Sequence, residues 1–319
     1  MSDLPKRIEI HEEGPREGFQ FEKRLFPLAE RIALVNALSQ TGLKQIQVAS
    51  FVNPRRVPQM ADAAELFAGI AKVPGVAHTA LWLNAQGFRQ AAATPNVDLK
   101  GILLLYASDA FAHQNNGCDA AAMQRQQEDW IRLYDEAGVA IEAAYIMTAF
   151  GCNLQGDIPV AAVTDQVRWL ADCFKTAGRR LPVIYLADTV GWAVPTTIEQ
   201  RVGAVREVVP EARIGLHLHD TRGSGPASFY AALRMGVELF DSSVAGLGGC
   251  PFAGHGSHAA AGNICTEDIV FMAEEMGIET GVDLSAVIEA AQLAERIIGH
   301  PLGGRIMHSG SLKRYRAMA

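Results

Sequence analysis

A chain of 319 residues, 49% of them apolar and 20% charged, is long enough for one large α/β barrel or two average domains. Its formal net charge of −7 argues against nucleic acid and anionic membranes as general partners. The first residues lack an apolar signal core, no apolar run approaches the roughly 18 residues of a membrane span, and five scattered cysteines without a CxxC pair favour a reduced, cytoplasmic protein.

Short apolar runs typical of strands alternate along the chain with longer helical patterns. In chain order the predicted elements are strand 8–12, helix 28–40, strand 43–49, helix 61–70, strand 76–83, helix 85–93, strand 99–106, helix 120–137, strand 139–147, helix 160–177, strand 181–186, helix 196–208, strand 213–218, helix 226–235, strand 238–242, helix 266–276 and helix 284–298. Eight strands, each followed by a helix, predict a (β/α)8 TIM barrel.

An open, doubly wound sheet is the rival architecture, but no GxGxxG follows the first predicted strand. No linker rich in proline, glycine or serine divides the chain. We therefore expect a barrel domain over residues 1–283, with the last helix and a tail appended over 284–319.

Two histidines near the end of the seventh predicted strand are candidate metal ligands. His217 and His219 are two residues apart, so their side chains project to the same face of a strand. Barrel enzymes carry their active sites at the carboxyl ends of strands, and imidazole suits a divalent metal. The pair is equally compatible with two buried, hydrogen-bonded histidines.

The first predicted strand leads into a segment that offers a carboxylate and a guanidinium side by side. Gly14-Pro15 predicts a tight loop, and Arg16 and Glu17 follow it. Glu17 is a candidate metal ligand, whereas Arg16 is suited to an enolate oxygen or a substrate carboxylate. An ion pair on a surface loop is the alternative for both residues.

Three further side chains are candidates with open alternatives. Cys250 follows a glycine-rich stretch, which favours an accessible thiol for proton transfer or nucleophilic attack over an incidental one. Asn263 precedes a predicted helix with Thr266 as its N-cap, and is equally a metal ligand or a turn residue. Asp188 ends the sixth predicted strand, where it would orient a catalytic group or cap the next element.

Together these pieces resemble the 3-hydroxy-3-methylglutaryl-CoA (HMG-CoA) lyase family, within the metal-dependent barrel lyase and synthase superfamily. The similarity covers residues 8–283. Its motifs are GPREGFQ at 14–20, ASFVNP at 49–54, VPQM at 57–60, ADTVG at 187–191, HLHDT at 217–221, DSSVAGLGGCP at 241–251 and GN at 262–263. Several independent motifs in the right order make the resemblance specific.

The resemblance implies a barrel enzyme that uses Mg²⁺ or Mn²⁺, binds an acyl-CoA and forms homodimers. The implied reaction is retro-Claisen cleavage of a 3-hydroxy-acyl-CoA to acetyl-CoA and a ketone or oxo acid. The metal would polarise the substrate hydroxyl before the C2–C3 bond breaks. Carried over by position, the implied metal ligands are Glu17, His217, His219 and Asn263.

The resemblance also assigns roles around the reacting carbon. Arg16 would stabilise the enolate of the departing acetyl-CoA, and the Cys250 thiol would carry the proton to it. Asp188 would support the active site. Gln20 and Gln47 join Arg16 as the implied substrate-binding residues.

The chain departs from the family pattern in three places. Glu17 stands where the family usually has Asp, and Gln47 replaces a usual acid on strand two, which deletes a negative charge. The step of 13 positions from Cys250 to Asn263 is longer than in typical lyases and contains two histidines, His255 and His258. We expect an HMG-CoA-like substrate, a related 3-hydroxy-3-methyl acyl-CoA or a similar 3-hydroxy acid.

Three other functions compete with cleavage. A Claisen-type acyl-CoA synthase or a hydroxy-oxo-acid aldolase would belong to the same superfamily, but the Gly-Gly-Cys250-Pro loop favours a lyase. A catalytically silent protein that binds CoA esters would explain the changes at Glu17 and Gln47. Stoichiometric, removable Mg²⁺ or Mn²⁺ would favour an enzyme over this silent protein.

Overall fold

The computed structural model describes residues 4–249 and 262–316, without the side chain of Arg314. Cys250, His255 and His258 therefore lie outside the described residues. The described chain forms two compact units, which we name by their place in the sequence. Of the described residues, the central unit contains 4–5 and 100–240, and the terminal unit contains 6–99, 241–249 and 262–316.

Eight β-strands alternate with helices along the described chain. They are β1 (Glu9–Glu12), β2 (Gln45–Phe51), β3 (Ala77–Trp82), β4 (Gly101–Tyr106), β5 (Ile141–Met147), β6 (Val183–Ala187), β7 (Ile214–His217) and β8 (Leu239–Ser242). Within the terminal unit β1 pairs in parallel with β2, and β2 with β3. Within the central unit β4, β5, β6 and β7 pair in the same way.

Thirteen α-helices connect or follow these strands in the described residues. They are α1 (Gly14–Phe21), α2 (Leu28–Ser39), α3 (Ala63–Gly69), α4 (Ala85–Ala93), α5 (Asp109–Asn116), α6 (Ala120–Glu136), α7 (Val160–Thr176), α8 (Pro195–Val208), α9 (Gly225–Arg234), α10 (Thr266–Glu275), α11 (Leu284–Ile298), α12 (Ile306–Ser309) and α13 (Lys313–Arg316). Short 3₁₀ turns cover Pro58–Met60 and Val244–Gly246. No helix among the described residues is both long and apolar enough to span a bilayer.

The predicted tight loop at Gly14-Pro15 is wrong, because Gly14 begins helix α1. Proline is favoured in the first helical turn, where its missing N–H has no partner to lose. Gly14 is required for a different reason. A Cβ there would lie 2.6 Å from Oε1 of Glu12 and 2.8 Å from Oγ of Ser243.

Helix α11 covers one side of the terminal unit and matches its predicted range. Asp283 caps it, since its Oδ1 accepts the N–H groups of Ser285 and Ala286 at 2.9 and 3.2 Å. At its other end Arg24 donates to two carbonyl oxygens of the last turn. Its apolar face recurs every three or four positions and packs on α2. That face is Leu284, Val287, Ala290, Ala291, Ala294, Ile297 and Ile298.

Stacked tyrosines fill part of the central unit beneath the end of β7. The rings of Tyr145 and Tyr185 lie 4.6 Å apart between centroids and pack with Ala143 and Leu239. Gly215 makes room for them, because a Cβ there would lie 2.5 Å from Cε1 of Tyr185. The packed ring of Tyr145 meets His217 edge-on at 6.5 Å. This packing supports the strand that carries His217.

Candidate active site

Arg16 is held by three acceptors within the terminal unit. Its Nη2 lies 2.7 Å from Oε2 of Glu13 and 2.8 Å from Oε1 of Glu17. Its Nε donates to Oε1 of Gln47. Burial by itself lowers the pKa of Arg16, but Glu17 and Glu13 together raise it above its ordinary value. The guanidinium is therefore a fixed, permanent positive charge.

Gln47 reaches Arg16 from strand β2. The register between β2 and β3 shifts between Gln47 and Ala49, an irregularity that re-aims side chains of a strand. Gln20, on α1, accepts a hydrogen bond from Ser50 at 3.0 Å and so ties this helix to β2. Arg16, Glu17 and Gln20 thus lie on one short helix whose position is fixed by the neighbouring strand.

Asn263 meets Glu17 within the same unit. Its Nδ2 donates to Oε2 of Glu17 at 2.5 Å. Its Oδ1 is buried and has no hydrogen-bond partner among the described residues. Gly248 permits the close approach, since a Cβ there would lie 2.8 Å from Cβ of Glu17 and 3.3 Å from Nδ2 of Asn263. A buried amide oxygen beside a carboxylate is a donor pair that suits a hard divalent cation.

His217 and His219 face one another within the central unit. Strand β7 ends at His217, one residue before the end of the predicted strand 213–218, so His219 lies two residues beyond β7. Their Nε2 atoms are 3.3 Å apart, and both residues are buried. Two nitrogen donors at right angles on a cation, with bonds of about 2.1 Å, would lie about 3.0 Å apart. The spacing therefore fits two ligands of one ion.

The hydrogen bond of His219 to the backbone defines its tautomer. Nδ1 lies 2.9 Å from the carbonyl oxygen of Thr189, which can only accept, so Nδ1 carries the proton. In the neutral ring Nε2 then holds a lone pair. Metal-binding histidines commonly donate their other N–H to a carbonyl in this way. The donor chemistry of His219 is thus that of a metal ligand.

Asp188 follows β6 directly, as predicted for a residue at a strand end. Its Oδ1 accepts the N–H of Trp192 at 2.6 Å, which caps the following turn. Its Oδ2 is buried without a hydrogen-bond partner among the described residues. Burial raises the pKa of Asp188 to about 6, against lowering effects of His219, His217 and hydrogen bonds. Oδ1 of Asp188 therefore has a structural role, whereas Oδ2 is available for another interaction.

Sequence reasoning missed two buried carboxylates next to the glycine-rich segment. Glu12 accepts the N–H groups of Gly14 and Val244, both at 2.8 Å, and the hydroxyl of Thr266 at 2.6 Å. Thr266 is therefore the first residue of α10 and a partner of Glu12, not the predicted N-cap. Glu267 accepts the N–H of Ala245 at 3.0 Å. Two carboxyl groups thus hold successive amides of the Val244–Gly246 turn.

The sequence analysis also missed Glu13. Glu12 and Glu13 are adjacent, so their positions in the sequence do not indicate which of them binds Arg16 and which binds backbone amides. The structure places Glu13 on Arg16 and Glu12 on backbone amides. The signal in the sequence was the position of both acids directly at the end of a predicted strand. The roles of Arg16, Gln20, Gln47, Asp188, Cys250 and the four ligands remain predictions.

A family model described as HMGL-like matches residues 7–294. The human mitochondrial hydroxymethylglutaryl-CoA lyase is 37% identical over 292 residues, which is 91% of this chain and 85% of that protein. A 3-hydroxy-3-isohexenylglutaryl-CoA/hydroxy-methylglutaryl-CoA lyase of Pseudomonas aeruginosa is 37% identical over 303 residues, which is 95% of this chain and 97% of that one.

The chain is also similar to a solved structure of an HMG-CoA lyase. It is an HMG-CoA lyase of Acinetobacter baumannii in complex with coenzyme A and 3-methylmalate, and it superposes with a TM-score of 0.84. The sequences are 32% identical, and the match covers 98% of this chain and 97% of that one. The predicted fold class, a (β/α)8 TIM barrel, is confirmed by this likeness and by the family model.

Proposed function

The chain belongs to the HMGL-like family, and we propose that it is a metal-dependent carbon–carbon lyase acting on an HMG-CoA-like 3-hydroxy-acyl-CoA. The products would be acetyl-CoA and a ketone or oxo acid. One observation carries the proposal: lyases of this type are 37% identical over nearly the whole chain.

The proposed cofactor is a divalent cation, Mg²⁺ or Mn²⁺, with Glu17, His217, His219 and Asn263 as its ligands. When bound, the cation would act as a Lewis acid toward the substrate's hydroxyl. Two observations support this set: the 3.3 Å spacing of the Nε2 atoms of His217 and His219, and the unpartnered Oδ1 of Asn263 among the described residues. The carboxylate and amide oxygens of the set are donors that suit Mg²⁺ or Mn²⁺.

Arg16 is proposed to hold the enolate oxygen that develops as the bond breaks. Its pairing with Glu13, Glu17 and Gln47 supports this role, because a donor fixed beforehand needs no reorganisation during the reaction. Cys250 is proposed to deliver a proton to the enolate carbon, on the resemblance alone. Asp188 is proposed to support the active site, for which its buried, unpartnered oxygen is suited.

The proposed substrate is an acyl-CoA. The coenzyme A bound by the Acinetobacter lyase supports this class, while Gln20 and Gln47 are proposed contacts with the acyl part. A homodimer, a reduced compartment such as the cytoplasm, and a domain boundary at residue 283 also remain proposals. The four described cysteines form no disulfide with one another, which supports a reducing environment.

The function is tested by a screen of CoA thioesters of 3-hydroxy-3-methyl acids, including HMG-CoA and its isohexenyl counterpart. Release of a ketone or oxo acid and of acetyl-CoA is followed with added Mn²⁺ or Mg²⁺, and again with a chelator. We expect cleavage of at least one thioester, abolished by the chelator and restored by metal. Metal-loaded protein that cleaves none of the panel would contradict the proposal.

A further inference from the structure

Glu13 is the N-cap residue of helix α1, and it also binds Arg16, the side chain of that helix that the proposed reaction uses. Its backbone carbonyl accepts the N–H groups of Arg16 at 3.1 Å and of Glu17 at 2.8 Å. Its own carboxylate, only 2% exposed, reaches Nη2 of Arg16 at 2.7 Å. Residues three apart on a helix are neighbours, so this contact is made within one turn. Glu13 thus fixes where the guanidinium lies.

Glu13 and Glu17, the two carboxylates that contact Arg16, differ in their other contacts. Glu17 also accepts from Asn263 and belongs to the proposed ligand set. Glu13 does not belong to that set. Gln47 binds the same guanidinium through Nε but carries no charge. Glu13 is therefore the carboxylate that balances Arg16 without also serving the cation.

We propose that Glu13 is a positioning residue for Arg16, which holds the guanidinium in place and supplies the negative charge that Gln47 lacks. This inference rests on the proposed function, in which Arg16 holds the enolate oxygen. Because positions 13 and 47 contact the same guanidinium, one negative charge at either position can meet the requirement. Besides Glu17, Arg16 requires one carboxylate, at position 13 or at position 47. A carboxylate at neither position, or at both, would lower the activity.

Glu12, the residue before Glu13, has only structural contacts and serves as a comparison. The carboxylate of Glu12 binds the amides of Gly14 and Val244 and the hydroxyl of Thr266. A charged partner for Glu13 and uncharged partners for Glu12 distinguish the two roles. Loss of Glu13 is therefore expected to disturb Arg16 rather than the turn.

The experiment is a double-mutant cycle of Glu13→Gln, Gln47→Glu and the double variant. With the thioester that the parent cleaves best, Glu13→Gln should lower kcat roughly 10- to 100-fold, because a small displacement of a catalytic donor has that effect. KM should change little, since the contact acts in the transition state. Gln47→Glu should also lower kcat, because a third carboxylate offsets the charge of Arg16.

The double variant should recover kcat to within about threefold of the parent, which a merely structural role for Glu13 would not produce. Glu65→Gln removes an exposed carboxylate of α3 in the same unit and should leave kcat unchanged. An unchanged kcat in Glu13→Gln, or a folded double variant no better than Glu13→Gln, would overturn the inference.

A second measurement separates this inference from the proposed function. The Nε–H signal of Arg16, assigned by its loss in Arg16→Lys, reports the guanidinium by nitrogen NMR. It should shift and exchange faster with water in Glu13→Gln and return toward the parent in the double variant. A parent that cleaves no thioester would refute the function, whereas an Nε–H signal that does not respond to Glu13→Gln would refute the positioning role.

Discussion

The pair His217 and His219 illustrates how one backbone contact prepares a side chain for chemistry. The carbonyl of Thr189 fixes the proton of His219 on Nδ1, which leaves Nε2 as an electron donor 3.3 Å from Nε2 of His217. Burial of both rings keeps water from competing for those nitrogens. Two buried imidazole nitrogens at this spacing are suited to binding one cation.

His219→Ala should therefore lose most of the bound metal. Elemental analysis after desalting should find Mn²⁺ in the parent and little in the variant. At a Mn²⁺ concentration of about 100 times Kd, the parent should gain about 2.7 kcal/mol in free energy of unfolding. The variant should gain much less, which thermal or denaturant unfolding with and without Mn²⁺ would measure.

His113→Ala is the matched control for this substitution. His113 is an exposed histidine on α5 of the central unit, and its loss should leave metal content and the Mn²⁺ effect unchanged. Full metal occupancy in His219→Ala would exclude His219 from the ligand set.

Local sequence patterns predicted some of the candidate site residues and missed others. The difference depends on whether the partners of a residue are close to it in the sequence. Arg16 and Glu17 stand in a short motif, and Asp188 stands at a strand end, so each is visible in a window of a few residues. Glu13 and Glu267 take their meaning from partners such as Arg16 and Ala245 that only the folded chain identifies. No spacing rule could separate Glu13 from Glu12.

Helix α1 shows how an element can depend on packing more than on its own sequence. Its glycine at position 18 lies against Leu247, and a Cβ there would come within 2.7 Å of Cβ of that leucine. This is closer than real Cβ atoms approach, and the leucine Cβ cannot rotate away from its own backbone. The helix and the segment before Cys250 are therefore in direct contact within the terminal unit.

Gly18→Ala should lower the free energy of unfolding by about 1–3 kcal/mol, the usual range for overpacking a core. Gly203→Ala is the matched control, since Gly203 lies within α8 and a Cβ there meets nothing within 4 Å. The control should be stabilised by up to about 1 kcal/mol, because alanine favours a helix over glycine. Equal effects of the two substitutions in urea unfolding would contradict the packing argument.

The helices predicted most accurately are those whose ends are marked by capping residues in their own sequence. The helix predicted at 85–93 is α4, where Asn84 caps the first turn by accepting the N–H of Gly87 at 2.8 Å. The helix predicted at 284–298 is α11, with its cap at Asp283. Helix α1 was missed because Gly14-Pro15 is typical of a turn, and only contacts with Glu12 and Leu247 reveal the helix.

For the molecule as a whole, two buried acids make stability depend on pH. Burial raises the pKa of Glu267 to about 8 and that of Glu12 to about 7, both from an ordinary value of 4.5. The folded protein therefore keeps both protons where the unfolded chain has lost them. By linkage, the free energy of unfolding falls as pH rises from about 4.5 to about 8, and then levels off.

Glu267→Gln should flatten this dependence, since an amide at position 267 cannot ionise. The variant should gain stability over the parent by a few kcal/mol between pH 5 and pH 8, as each tenfold change in proton affinity corresponds to about 1.4 kcal/mol. Urea unfolding at pH 5, 6.5 and 8 measures it. Glu289→Gln, at an exposed position on α11, should follow the parent. Parallel curves for parent and Glu267→Gln would refute the prediction.

The terminal unit is assembled from both ends of the described sequence, and this has a consequence for biosynthesis. The amide that binds Glu17 is 246 positions further along the chain, and the hydroxyl that binds Glu12 is 254 positions further. At about 5–20 residues per second, a ribosome needs roughly 10 to 50 s to supply those partners. Meanwhile the central unit has emerged with all of its strands. Glu12 and Glu17 of the nascent polypeptide therefore lack these partners until the segment that is translated late completes their surroundings.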